Sequence, residues 1–98
     1  MMKEFQDLVF RPENGDPFEC TFKAISRFTN GYGVSVVSGK GTLTDSDKPY
    51  ELAVVQFFDG DSYRLIYLSL FDFDVVPYLT ADEVTSYMKI IQTLPELF

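Results

Sequence analysis

Turn dipeptides at intervals constrain this chain more than any other feature. Asn14-Gly15, Asn30-Gly31 and Asp59-Gly60 divide it into short runs. Asn-Gly and Asp-Gly tolerate positive φ at both central positions, as a two-residue hairpin requires. Between them, β-branched and aromatic residues recur at period two, the pattern of half-buried strands. A short first strand is expected over Leu8–Arg11. In Glu19–Phe28, Cys20, Phe22, Ala24 and Phe28 share one side, with Glu19, Thr21, Lys23 and Arg27 on the other. Tyr32–Ser38 turns Tyr32, Val34 and Val36 inward, and Tyr50–Phe58 turns Tyr50, Leu52 and Val54 inward. Tyr63–Ser69 is expected to face inward with Tyr63, Leu65 and Tyr67 and outward with Arg64. Short connections make neighbouring strands antiparallel.

Two connections are longer. Gly39–Pro49 is polar and reads as a loop, and Leu70–Leu79 reads as a crossover to a helix. Pro77 lacks an N–H and is expected to stop strand pairing there. Thr80-Ala81-Asp82-Glu83 fits a capping box, with the Thr80 hydroxyl accepting the Glu83 backbone N–H while the Glu83 carboxylate reaches back. Asp82 and Glu83 suit the positive end of a helix dipole. Val84, Tyr87, Met88, Ile91 and Leu94 follow on one helical face, and Pro95 ends the segment. The expected architecture is α+β: one domain over residues 1–98, an antiparallel meander of four to five strands with one C-terminal helix packed on one face.

One helix covers one face of a sheet. The other would carry Ile25, Val37, Ala53, Val55, Phe57, Ile66 and Leu68, which is more apolar than a solvated face. Three arrangements would hide it. The sheet curls, helped by Phe5, Leu8 and Phe10 of the N-terminal segment; two copies pack sheet to sheet; or another protein binds there. Val55, Phe57 and Ile66 are the candidate contacts in the last two.

The chain of 98 residues has no histidine and one cysteine, Cys20. That removes Ser-His and Cys-His nucleophiles and the ordinary zinc sites. Cys20 reads as a small core residue, and a lone cysteine makes no intrachain disulfide. Asp45 with Asp47, Asp59 with Asp61 and Asp72 with Asp74 are too short in register for a hard-cation loop. A glycosidase-like carboxylate pair would need a cleft that one sheet and one helix hardly provide. Gly31-Tyr32-Gly33 and Gly39-Lys40-Gly41 open no helix and are no phosphate loop. No cofactor, no metal and no enzymatic activity are expected.

Charge points to partners instead. Fifteen acidic against eight basic residues give a net charge of −7. Such a chain repels nucleic-acid phosphate and is drawn to basic surfaces; the plainer role of the charge is solubility. In Phe71-Asp72-Phe73-Asp74, an extended backbone puts both carboxylates on one face, as an acidic ridge or as the outer side of an amphipathic crossover. Asp45 and Asp47 in the polar loop, and Tyr32 just after a hairpin turn, are further candidate contacts, although Tyr32 equally suits the end of the core. No apolar run is long enough for a membrane span, and no signal core precedes the first strand, so a cytoplasmic protein of a bacterial host cell is expected.

The stretches Asn30–Val37 (NGYGVSVV), Tyr50–Val55 (YELAVV), Asp74–Thr80 (DVVPYLT) and Tyr87–Gln92 (YMKIIQ) resemble those of small uncharacterised proteins of bacteriophages and mobile elements. Those proteins share a GYGVSVV block, a YELAV block and a helix start of DVIGYLT type. The matching blocks are strand and cap motifs, so no catalytic residue carries over. This chain has Pro77 where glycine is common. The resemblance implies a phage or mobile-element origin. Together with the charge it suggests a non-enzymatic protein that binds and modulates a host protein, such as a CRISPR effector. The alternative is a self-associating accessory protein that forms a sheet-to-sheet homodimer.

Overall fold

The computed structural model describes residues 2–12, 21–39, 47–60, 62–66 and 75–95. It is a curled antiparallel sheet with one C-terminal helix, an α+β fold. The strands are β1 (Arg11–Pro12), β2 (Thr21–Arg27), β3 (Tyr32–Gly39), β4 (Tyr50–Phe58), β5 (Ser62–Leu65) and β6 (Val75–Leu79). Strands β1 to β5 neighbour one another in chain order, and β6 pairs with β4. The helix α1 spans Ala81–Gln92.

The first strand does pair, but later than expected: Arg11 lies opposite Lys23 and Pro12 opposite Phe22. The residues before it include a 3-10 turn over Phe5–Asp7. This segment runs along α1, where Lys3 and Gln92 exchange two hydrogen bonds of 2.8 Å and the Phe5 N–H donates to the Thr85 hydroxyl. Phe5, Leu8 and Phe10 therefore pack on the helix side of the sheet, around Tyr50, and not against the other face.

The core follows the alternation in β2, β3 and β4. Ala24, Val36, Leu52 and Val76 form one cross-strand row, and Ser26, Val34 and Val54 the next. Val84, Met88 and Ile91 of α1 pack on these rows with no exposed surface. The helix begins as its sequence predicts: the Glu83 N–H donates to Thr80 Oγ1 and the Thr80 N–H donates to Glu83 Oε1. The Thr80 backbone N–H first, and the Thr80 side chain second, hold the Glu83 carboxyl below its ordinary range.

Two expectations fail at the outer edge of β4. Phe58 pairs with Ser62 and Phe57 with Tyr63, so the hairpin holds three positions, not two. One extra position moves every following side chain to the opposite face. Tyr63 and Leu65 consequently lie beside Phe57 and Val55, away from the helix, and Ile66 packs against the helix-side core. Asp59 and Gly60 both take positive φ in this turn.

Pro77 does not stop pairing either. Tyr50 faces Leu79 while Leu52 faces Val76, so Pro77 and Tyr78 together oppose Glu51 in a bulge. Tyr78 takes a φ of 57° there. A bulge on an edge strand is where a residue without an N–H is tolerated. Strands β5 and β6 share the outer edge of β4: Ile66 donates its N–H to the Val54 carbonyl, and Val75 lies opposite Ala53. Ile66 and Val75 thus meet neighbouring residues of β4, Val54 and Ala53. The expectations for Cys20, the Gly39–Pro49 loop beyond Gly39 and Leu68 fall wholly or largely outside the described residues.

Candidate functional site: the inner face of the curled sheet

The face turned away from α1 is built from three cross-strand rows. Lys23, Val37 and Glu51 form the first, Ile25, Ser35, Ala53 and Val75 the second, and Arg27, Gly33, Val55 and Leu65 the third. In a flat sheet β2 and β5 would stand about 14 Å apart, three strand spacings. Here side chains bridge them. Lys23 Nζ lies 5.8 Å above the centroid of the Tyr63 ring. Arg27 crosses the Phe57 ring at 5.2 Å and donates from Nη1 to the Gly60 carbonyl at 2.6 Å. The Phe57 and Tyr63 rings meet at 5.6 Å.

Glycine permits this curl. A Cβ on Gly33 would meet Phe57 Cε2 at 2.5 Å and clash with the backbone carbonyl of Ser26. The Phe57 ring therefore lies directly over the Gly33 backbone, with the Arg27 guanidinium against it. Cations over ring faces are favoured electrostatically and gain strength as water is excluded.

Two hollows open on this face. One of about 500 Å³ is lined, among the described residues, by Val9, Arg11, Pro12, Lys23, Ile25 and Tyr63. The other, of about 210 Å³, is lined, among the described residues, by Val37, Ala53, Leu65 and Val75 together with Lys23 and Glu51. Among the described residues no group of three or more His, Cys, Asp or Glu is placed to hold a metal ion, and no helix is long and apolar enough to cross a membrane.

The sequence-nominated residues do not converge on one site. Val55 is fully buried and Phe57 is 5% exposed, so the chain itself covers them. Ile66 belongs to the opposite face. Tyr32 is half-buried against the core and donates its N–H to Asn30 Oδ1 at 3.2 Å. Asp47 is exposed near the start of β4. Asp45, Asp72 and Asp74 lie outside the described residues.

Sequence reasoning missed Arg11, Lys23, Arg27 and Tyr63 as a group. Their signal was present, since Lys23 and Arg27 were assigned to the outward side of their strand, but only the curl brings them to Tyr63 and Phe57. It also missed Asn30. This buried side chain donates to the Ile91 carbonyl at 2.8 Å and the Leu94 carbonyl at 3.1 Å, so a hairpin-turn residue caps the C-terminal end of α1.

Charge is unevenly placed. Among the described residues Lys3, Arg11, Lys23, Arg27, Lys48, Arg64 and Lys89 balance Glu4, Asp7, Asp47, Glu51, Asp59, Asp82 and Glu83. The whole net charge of −7 therefore falls on the remaining stretches, chiefly 13–20, with Glu13, Asp16 and Glu19, and 67–74, with Asp72 and Asp74.

Comparison with family models, with curated proteins and with solved structures returns no match for this chain.

Proposed function

We propose that this chain is a non-enzymatic interaction protein that binds a partner with a basic surface through the acidic stretches between its strands. The observation that carries the reading is the separation of charge: the described residues balance seven cations against seven acids, and the net charge of −7 falls on the remaining positions, chiefly 13–20 and 67–74. Charge placed this way steers a basic partner without adding repulsion inside the fold. The phage-like sequence blocks favour a host protein as partner. A defence component such as a CRISPR effector, with a basic groove for nucleic acid, has the complementary chemistry. The reading of Val55 and Phe57 as a sheet-to-sheet dimer contact loses ground because the chain buries both.

The test is affinity capture from bacterial lysate with the unaltered chain and with an Asp72→Lys, Asp74→Lys variant. Salt is set at about 0.1 M and about 1 M, where screening lengths are about 10 Å and about 3 Å. A basic protein held by the unaltered chain at low salt, released at high salt and lost with the variant supports the reading. Capture that ignores both salt and variant, or no capture at all, refutes it.

A further inference from the structure

We propose that Asn30-Gly31 is a deamidation site gated by the fold. While α1 is docked the pair is protected; when the last turn of α1 opens, Asn30 converts to aspartate or isoaspartate, and the helix end no longer re-docks. The inference rests on the bonds around the hairpin tip and not on what the chain binds.

The chemistry needs only water. Glycine has no Cβ beside its nitrogen, so main-chain attack on the preceding side-chain amide is least hindered there. The Gly31 nitrogen gives up its proton and bonds to Asn30 Cγ. The Cγ–Nδ2 bond breaks, and Nδ2 leaves as ammonia with that proton. Water then opens the cyclic imide at either carbonyl, which gives aspartate or isoaspartate.

In the docked state every group of this reaction is held. Asn30 Nδ2, the leaving group, donates to the Ile91 carbonyl at 2.8 Å and the Leu94 carbonyl at 3.1 Å, while Oδ1 accepts the Tyr32 N–H at 3.2 Å. The Gly31 N–H, whose proton must leave, donates to the Phe28 carbonyl at 3.3 Å. Cγ must give up its planar geometry to react, and the three bonds on its amide oppose that. Asn30 is buried, so water and base have little access.

What holds Nδ2 is the end of a helix. Thr93 follows α1 with its N–H bonded back to the Ile90 and Ile91 carbonyls. Thr93 and Pro95 are exposed, and Leu94 is only partly buried against the core. Such ends open locally far more often than packed strands do. Opening here releases the Asn30 amide while the strands on either side of it stay paired.

The products do not fit the closed arrangement. Aspartate turns carboxylate oxygen toward the Ile91 and Leu94 carbonyl oxygens, where donors stood. Isoaspartate lengthens the main chain before Gly31 and so displaces the Gly31 carbonyl from the Phe57 N–H, which donates to it at 3.0 Å. The step is therefore one-way, and the converted fraction records how often the helix end has opened.

The experiment follows both Asn-Gly pairs of the full chain, Asn14-Gly15 and Asn30-Gly31, by peptide mass spectrometry at mildly alkaline pH, in buffer and in urea. In urea both should convert at similar rates. In buffer Asn30 should convert about 100-fold more slowly than in urea, the factor that three net hydrogen bonds impose. Leu94→Ala, which loosens the last turn, should speed Asn30 severalfold in buffer, and Thr80→Ala at the other end of the helix should leave it unchanged. Chain converted at position 30 should, on dilution from urea, lack the parent's amide NMR signals for Tyr32, Ile91 and Leu94, whereas unconverted chain taken through the same step should recover them. The proposal is overturned if Asn30 converts as fast in buffer as in urea, or stays unconverted in urea while Asn14 reacts. Equal effects of Leu94→Ala and Thr80→Ala would assign access to global unfolding and overturn it, as would converted chain that regains the parent's spectrum.

Discussion

Replacing Asn30 tests how the sheet and helix are joined. Its side-chain N–H groups donate to the Ile91 and Leu94 carbonyls, and its Oδ1 accepts the Tyr32 N–H. Asn30→Ala removes all three bonds and leaves the Leu94 carbonyl and the Tyr32 N–H short of these partners; Ile91 keeps the bond from the Leu94 N–H at 3.2 Å. At about 1 kcal/mol for each of the three bonds, the loss is about 3 kcal/mol. For a domain near this size that lowers the melting temperature by about 10–20 °C.

Asn30→Asp separates the hydrogen-bond account from a mere loss of volume. The carboxylate still accepts from Tyr32 but presents oxygen to two carbonyl oxygens at the negative end of α1. Burial and those carbonyls raise its folded pKa above the unfolded value of about 3.9. An acid with a raised folded pKa carries no penalty below the unfolded value and the full penalty above the folded one. The variant should therefore lose about 4 kcal/mol at pH 7, more than Asn30→Ala. The gap should close toward pH 4, whereas Asn30→Ala should track the parent at every pH. Urea unfolding at several pH values reads both curves. Losses equal within about 0.5 kcal/mol at pH 7, or an Asn30→Asp loss independent of pH, would refute the capping role.

The remaining predictions concern the inner face and the helix start. Gly33→Ala should cost about 3 kcal/mol or more by thermal unfolding, because both the Phe57 ring and the Ser26 carbonyl would have to retreat; a change in melting temperature of only a few degrees would contradict the packing. Val55→Glu should unfold the monomer, since an unpaired buried carboxylate costs several kcal/mol; a folded monomer split from a dimer would restore the sheet-to-sheet interface. Thr80→Ala should cost about 1 kcal/mol as a lost cap. The lowered pKa of Glu83 means its stabilisation is present above the unfolded carboxylate pKa and is lost as pH falls through the folded value. Glu83→Gln should therefore melt below the parent at neutral pH and match it in acid; a gap that persists in acid would assign the effect to packing.

What the sequence made legible is what local pattern decides. The capping box at Thr80 involves positions three apart, and its hydrogen bonds form as read. In β2, β3 and β4 the apolar sets identified the helix-facing rows correctly. Over Tyr63–Ile66 both sets carry apolar residues, Tyr63 and Leu65 on one side and Ile66 beside Arg64 on the other, so alternation decides the face only weakly and the three-position turn settles it. Pro77 was judged as a residue in a regular ladder, whereas the edge position and the bulge opposite Glu51 remove the demand for its N–H. Asn30 reads locally as a turn residue, and its capping partners lie 61 and 64 positions away.

The inner face was illegible for a different reason. Alternation gives the side of a sheet but not its curvature, and every contact that defines the candidate site depends on curvature. Lys23 and Tyr63 belong to strands separated by two others, and they meet on the same face on which Phe57 lies against the Gly33 backbone. The same curl buries Val55 and Phe57, which in a flat sheet would form an apolar surface. A face that reads as a sticky plane in one dimension thus becomes, on curling, a wall of cations over rings with a hollow at its edge. Opposite signs of charge then serve different ends. The cations over the rings belong to a framework held by its buried apolar rows, which salt does not screen, while carboxylates in the connecting stretches are exposed to screening if solvated. Association through those stretches should therefore fade with rising salt while the curled framework persists, and a framework that loosened in step with the association would place both on the same charges.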